Sequence, residues 1–136
     1  MEDRALHEIR VFENFEMLSS EKGHVAVRTE VVEKSLNYYG FAHGGYLFTL
    51  CDQIAGLVVV STGCDAVTLQ SSINYLTSGK LGDTLIIEGR CVHNGRTTKV
   101  VDVTVTNQQQ AEIVKATFTM FVTGEHVKAL QDTNRK

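Results

Sequence analysis

The chain has 136 residues, 43% of them hydrophobic and 21% charged, with a formal net charge of -3 at neutral pH. That length suits one domain with a sizeable core, and the charge balance lacks the basic footprint of a nucleic-acid binder. Three cysteines, Cys51, Cys64 and Cys91, are odd in number and widely spaced, which argues against a disulfide framework or a zinc site and for a reduced, intracellular setting.

Residues 4 to 18 read as a helix. Ala5, Ile9, Phe12 and Phe15 recur at three- and four-residue spacing with Glu8, Glu13 and Glu16 between them, so a surface helix ending before Gly23 is predicted within residues 1–22. The N-terminus has no apolar run of signal-peptide type. The apolar stretch from Ile54 to Val60 is too short to span a bilayer. A cytoplasmic location without membrane contact is the expectation.

From His24 to Val32 the sequence alternates, with Val25, Val27, Thr29 and Val31 on one face, as in a half-buried strand. A connection rich in Asn, Tyr and Gly follows over 33–43. From Gly44 to about Ser61 the pattern is helical and apolar nearly all round, which predicts a buried helix stopped by Gly63.

The remainder reads as strands. Val67, Leu69, Ser71, Ile73 and Tyr75 alternate, and a loop spans Thr77 to Asp83. A strand over Thr84–His93 meets its partner over Thr97–Asn107 through Asn94-Gly95, a two-residue hairpin signal. A last strand carries Val114, Ala116, Phe118, Met120 and Val122, and residues 125–136 form a polar, loose tail. Five strands around one apolar helix give an α+β single domain over 1–136, an antiparallel sheet wrapped on a central helix in the hotdog arrangement.

The informative segment runs Asn37-Tyr38-Tyr39-Gly40-Phe41-Ala42-His43-Gly44-Gly45-Tyr46-Leu47-Phe48-Thr49-Leu50-Cys51-Asp52. Gly44 and Gly45 fall at the start of the central helix. Backbone N–H groups there lack intrahelical partners and carry the positive end of the dipole. Glycine permits close approach of a ligand carbonyl, so this is a candidate oxyanion hole. Asp52 lies in an otherwise apolar helix with no cation at three- or four-residue spacing, which marks it as a carboxylate with a task. Its structural alternative is a hydrogen bond to a neighbouring strand or a partner subunit. Eight residues of helix separate Gly44 from Asp52, roughly 12 Å at about 1.5 Å per residue. Two groups so far apart on one rod cannot serve one carbonyl, so joint action entails a homodimer with antiparallel helices.

The pattern Asn-x-x-Gly-x-x-His-Gly-Gly, then Leu-Phe and Asp, with Gly79-Lys80-Leu81-Gly82-Asp83 and Asn107-Gln108-Gln109-Gln110 further on, resembles the PaaI-like branch of the hotdog thioesterases over roughly 24–124. The resemblance implies hydrolysis of an acyl-CoA thioester, with Gly44 N–H polarising the carbonyl. Asp52 of the other chain is then general base or nucleophile. It implies that Asn37 and Thr68 hold water or carbonyl, that His43 orders the loop or contacts the thioester sulfur, and that dimers pair into a homotetramer. Thr77-Ser78-Gly79 stands where a Pro is frequent in that branch, and Cys51 where Ala is common.

Gly45, Phe41 and Tyr46 are candidates to line an acyl pocket, as are Tyr38, Tyr39 and Phe48. Lys80, Arg90, Arg96 and Lys99 cluster as candidates for the CoA phosphates, against the reading that they are solvated strand charges. Cys51 faces about 100° away from Asp52 around the helix and is expected to be buried and inert. His7, His24, His43, His93 and His126 are dispersed, so neither metal nor cofactor is expected. The rival readings are an acyl-thioester hydratase or dehydratase using His43 with Asp52, and a non-catalytic acyl-CoA-binding module.

Overall fold

The computed structural model describes residues 7–126. The elements in chain order are β1 (Glu16–Glu21), β2 (His24–Glu30), a 3-10 turn (Glu33–Ser35), α1 (Gly44–Ser61), β3 (Cys64–Tyr75), β4 (Thr84–Asn94), β5 (Thr98–Thr106) and β6 (Glu112–Glu125). The strands form one antiparallel six-stranded sheet in the order β1-β2-β4-β5-β6-β3. The sheet wraps α1, as the hotdog expectation requires.

Alternation along the strands sets what faces the helix. Val25, Val27, Thr29 and Val31 point inward, as do Leu85 and Ile87 from β4, Val101, Val103 and Val105 from β5, and Ala116, Phe118 and Met120 from β6. α1 presents Tyr46, Leu47, Leu50, Cys51, Ile54, Ala55, Val58 and Val59 to them. Burying each large aliphatic chain stabilises the fold by about 1.5–3 kcal/mol. By length and apolar composition alone α1 could cross a membrane; its apolar stripe is instead taken up by the sheet. Gly63 at φ +93 takes the left-handed position that ends the helix.

Gly89 governs how closely helix and sheet approach. A methyl group there would lie 2.8 Å from a Val58 methyl and 2.9 Å from an Ile54 methyl. Only a residue without a side chain lets the middle of β4 meet α1.

Three expectations are corrected. Residues 7–15 are not helical, and Glu16–Glu21 is a sixth strand, paired with β2. The backbone of this segment is tied by tertiary partners rather than its own turns: Arg10 N–H donates to Lys34 O at 3.0 Å and Arg10 O accepts from Ser35 Oγ at 2.9 Å. Asn14 Oδ1 accepts from Thr29 Oγ1 and Glu30 N–H. Tertiary bonds of this kind override a helical spacing of apolar residues. The β4–β5 connection also differs from a two-residue turn. Asn94 pairs with Lys99, and the loop spans 95–97. β6 extends to Glu125, so the predicted tail begins later, and 127–136, like the start of the predicted helix, lie outside the described residues.

Gly89→Ala is expected to destabilise the protein by about 1–3 kcal/mol through overpacking, read as a lowered thermal unfolding midpoint. An unchanged midpoint would show that the helix can shift away from β4 without loss.

Candidate active site

The approach to α1 is a loop that Asn37 holds. Its Oδ1 accepts from the N–H groups of Tyr39 at 2.9 Å and Phe41 at 3.0 Å, and its own N–H donates to Phe41 O at 2.7 Å. Asparagine closes such turns because its short amide imitates a backbone carbonyl. Ala42 N–H then donates to Gly79 O and His43 N–H to Ser35 O, both at 2.8 Å. Gly79 has to be a glycine at this crossing, since a Cβ would sit 2.9 Å from that of Ala42.

His43 is the N-cap of α1, with extended backbone (φ -66, ψ 137) and a ring Nδ1 that accepts from Gly45 N–H at 2.9 Å. This is a loop- and helix-ordering role, and in the neutral ring it places the proton on Nε2. Tyr75, from the end of β3, donates its hydroxyl to Gly44 O at 2.9 Å. Gly44 N–H donates to no group among the described residues. It borders a cavity of about 260 Å³ lined by Asn37, Phe41, Leu47, Tyr75, Leu76 and the 77–79 loop. An unsatisfied amide at a helix start, beside a partly apolar cavity, is a ready site for a carbonyl oxygen.

That cavity contains no carboxylate. Asp52 lies further along α1, half-buried on the side of the helix that meets β3, where Thr68 Oγ1 donates to its Oδ1 at 2.6 Å. The hydroxyl orients the carboxylate and leaves its other oxygen for further contacts. In one chain, therefore, the open amide at the start of α1 and the carboxylate near its middle stand apart.

Several predicted contacts are corrected. Tyr46 is 1% exposed and belongs to the core, so it cannot line an acyl pocket. Its hydroxyl has no hydrogen-bond partner of normal geometry, although the Ser35 and Thr29 hydroxyls beside it act on its acidity. The Gly45 N–H is taken by His43 and is not free for a ligand. Lys99 is 5% exposed, with its stem on the core face and its ammonium bonded to Asn94 Oδ1 and Gly95 O. It fastens the 95–97 loop rather than meeting a phosphate. Arg90 is exposed and pairs with Glu88 at 3.1 Å. Lys80 and Arg96 are exposed, and Lys80 stands next to Gly79 at the cavity rim. Phe48 packs on Phe118 with ring centroids 5.6 Å apart, and Phe41 lines the cavity. No spacing in the sequence distinguishes Tyr75, which in a strand pattern is one more alternating apolar residue.

Cys51 is buried and free of disulfide partners. Burial, and then the Asp52 charge, push its thiol from 9.0 up to about 12, so it is no nucleophile. Burial likewise pushes the Tyr46 phenol from 10.0 up to about 12, lowered only in part by Ser35 and Thr29. Among the described residues no three His, Cys, Asp or Glu side chains gather as a metal site would need.

The six-stranded sheet wrapped on α1, with a glycine pair at the start of the helix, defines a hotdog protein. A model of the thioesterase superfamily matches residues 39–114. The chain is 82% identical to smu.793 from Streptococcus mutans UA159, solved bound to acetyl CoA, with a TM-score of 0.83 over 89% of this chain and 98% of that one. It is 65% identical to a hypothetical thioesterase protein from Streptococcus pneumoniae TIGR4, solved with coenzyme A, with a TM-score of 0.87 over 88% and 97% of the two chains. Structures of Asp52→Ala and Thr68→Ala mutants of that pneumococcal protein match at 64% identity and a TM-score of 0.87, over 88% of this chain and 99% and 98% of theirs. Acyl-coenzyme A thioesterase PaaI of Escherichia coli K12 is 34% identical over 98 residues, 72% of this chain and 70% of that protein.

The chain belongs to the thioesterase superfamily, in its PaaI-like hotdog branch, and is a thioester hydrolase.

The two raised acidities make a prediction about stability. Above pH 9.0 the unfolded chain releases the Cys51 proton, and above 10.0 that of Tyr46, while the folded chain keeps both until about 12. The unfolded state then binds fewer protons, so stability falls as pH rises through this window. The thermal midpoint is expected to drop between pH 9 and 12, less steeply in Cys51→Ala. Equal slopes in the two proteins would show that Cys51 ionises alike in both states.

Proposed function

We propose that the protein hydrolyses acyl-CoA thioesters at sites built from two chains of a homodimer. Gly44 N–H of one chain binds the carbonyl oxygen. The partner subunit's Asp52 activates water as general base or attacks directly. The observation that carries this reading is the split between the half-sites: the cavity at Gly44 holds a free amide and no acid, and the acid lies roughly 12 Å along the same helix.

β3 supplies a means of bringing them together. It is an edge strand bonded on one side to β6 only, with Val67, Leu69 and Tyr75 half or more exposed along it. Such an edge is a template for another strand. Antiparallel pairing of β3 with its own copy has a two-fold axis normal to the sheet, so both helices stay on one face and run in opposite directions. A register centred on Ser71 and Ser72 carries Gly44 and Tyr75 of one chain toward the partner subunit's Asp52. Further pairing of dimers into a tetramer extends the same reading.

In the reaction, oxygen bonds to the thioester carbon and negative charge gathers on the carbonyl oxygen at Gly44 N–H. The C–S bond then breaks and CoA leaves as a thiolate. On the general-base route the proton that Asp52 took from water passes to the thiolate, and the free acid is formed at once. On the direct route the acyl group is left on Asp52 as a mixed anhydride, which a water molecule hydrolyses to the free acid and the carboxylate, with a proton going to the thiolate. Thiolate is a good leaving group, so a positioned carboxylate and one oxyanion donor suffice. Two CoA-bound relatives support the substrate class. The cavity's size and its Phe41, Leu47 and Leu76 lining suit an aryl or a short to medium acyl group. Lys80 at the rim, and Arg96 and Arg90 on the hairpin, are the cations left for the CoA phosphates. A cytoplasmic location accords with this substrate and with three free cysteines.

Hydration of an enoyl thioester is the rival on this fold, and it leaves the thioester intact. Release of free CoA thiol therefore separates the two. Asp52→Ala is expected to lower kcat by about 100-fold or more, with the fold retained, measured as thiol release from a panel of acyl-CoAs. Undiminished release would remove Asp52 from the chemistry. Gly44→Pro deletes the N–H and keeps the backbone path, since proline suits the first helical position and extended His43 suits the residue before it, while its ring adds a Cβ in ordinary contact with the Tyr75 ring at 3.5 Å. It is expected to lower kcat/KM by about 100-fold; wild-type turnover would exclude that amide as the oxyanion donor.

A further inference from the structure

We infer that Tyr75 is a positioning residue for the oxyanion amide: with His43 it clamps the peptide group between Gly44 and Gly45, while Leu47 N–H holds His43 O of the preceding peptide, which carries Gly44 N–H, at 3.0 Å, so that rotation at the Gly44 Cα joining the two planes is restricted. This rests on the reading that Gly44 N–H binds the thioester oxygen. Tyr75 Oη donates to Gly44 O at 2.9 Å and His43 Nδ1 accepts from Gly45 N–H at 2.9 Å. Those two atoms are the C=O and N–H of one peptide plane, so the plane is gripped at both ends by side chains from different elements.

The need for a grip follows from composition. Two consecutive glycines have the widest backbone freedom of any pair, and a helix start is where fraying begins. A donor that must meet a developing oxyanion acts best when it needs no reorganisation. Gly44 and Gly45 leave room for the ligand, and the clamp restores the rigidity that glycine forfeits. A side chain at Gly45 would press on the His43 ring, its Cβ 3.1 Å from Nδ1, so the clamp also limits what residue can stand there.

Tyr75 also forms a wall of the cavity. A Cβ at Gly44 would lie 3.5 Å from its ring carbon Cζ, so the ring stands directly against the glycine. Burial raises the phenol above its ordinary 10.0, so the hydroxyl keeps its proton and remains a donor in the neutral range.

The test compares Tyr75→Phe, Tyr75→Ala and Asp52→Ala, with kcat and KM measured separately on one acyl-CoA and the Gly45 amide exchange rate followed by NMR. Tyr75→Phe keeps the ring and loses the bond. It is expected to lower kcat about three- to tenfold with KM nearly unchanged, and to speed Gly45 amide exchange by a similar factor. Tyr75→Ala should lower kcat at least as much and raise KM as well, because the wall is lost. Wild-type kcat and amide exchange in Tyr75→Phe, beside an inactive Asp52→Ala, would overturn the clamp and leave the catalytic reading standing. Wild-type kcat in Gly44→Pro, measured alongside, would overturn the reading of that amide as the oxyanion donor and this inference with it.

Discussion

The stiffness of α1 is the constraint on which the rest depends. Gly44 and Asp52 sit on one continuous helix, and eight residues of helix hold them roughly 12 Å apart whatever side chains do. An amide donor and a carboxylate fixed at that distance cannot converge on one carbonyl carbon. In the proposed dimer, with the helices antiparallel, the same rod that keeps them apart in one chain would bring them together across two. Tyr75 bonds Gly44 and Thr68 bonds Asp52, so β3, one of the two edge strands of the sheet, touches both groups.

The sheet and the loops act in support of that rod. Gly89 lets α1 settle on the middle of β4, Asn37 and Gly79 fix the path by which the chain enters the helix, and His43 caps it. Each device removes freedom near Gly44, where the backbone is two glycines and would otherwise be loose. Preorganisation of this kind is what the proposed role of Gly44 N–H as an electrostatic catalyst requires. Asp52 itself is half-buried, hydrogen-bonded and turned toward β3, so it is neither sealed in a dry core nor a freely solvated surface charge.

Much of this was legible in the sequence, because two periodicities were strong. The apolar run from Gly44 to Ser61 and the alternating strands after it specify a buried helix and a sheet, and the acid within the helix stands out against its neighbours. Residues 7–21 misled because Ile9, Phe12 and Phe15 mimic a helical face while their backbone bonds go to Lys34, Ser35 and β2, partners that no local pattern reveals. Tyr46 and Lys99 were misplaced for a related reason: both residue types are common at binding surfaces, and only tertiary packing shows one in the core and the other fastening a loop. Tyr75 could not be found from spacing, since its role depends on β3 running back beside the start of α1. In the cluster of basic residues, type and proximity in sequence were visible and the direction of each side chain was not.

The shared site is tested most directly by mixing two inactive proteins. Gly44→Pro and Asp52→Ala chains, unfolded together and refolded at equal amounts, give mixed dimers in which one site carries both defects and the other carries neither. About half of the dimers are mixed and each has one intact site, so about a quarter of wild-type thiol release should return. A mixture as inactive as its two components would mean that Gly44 and Asp52 do not meet across a subunit boundary.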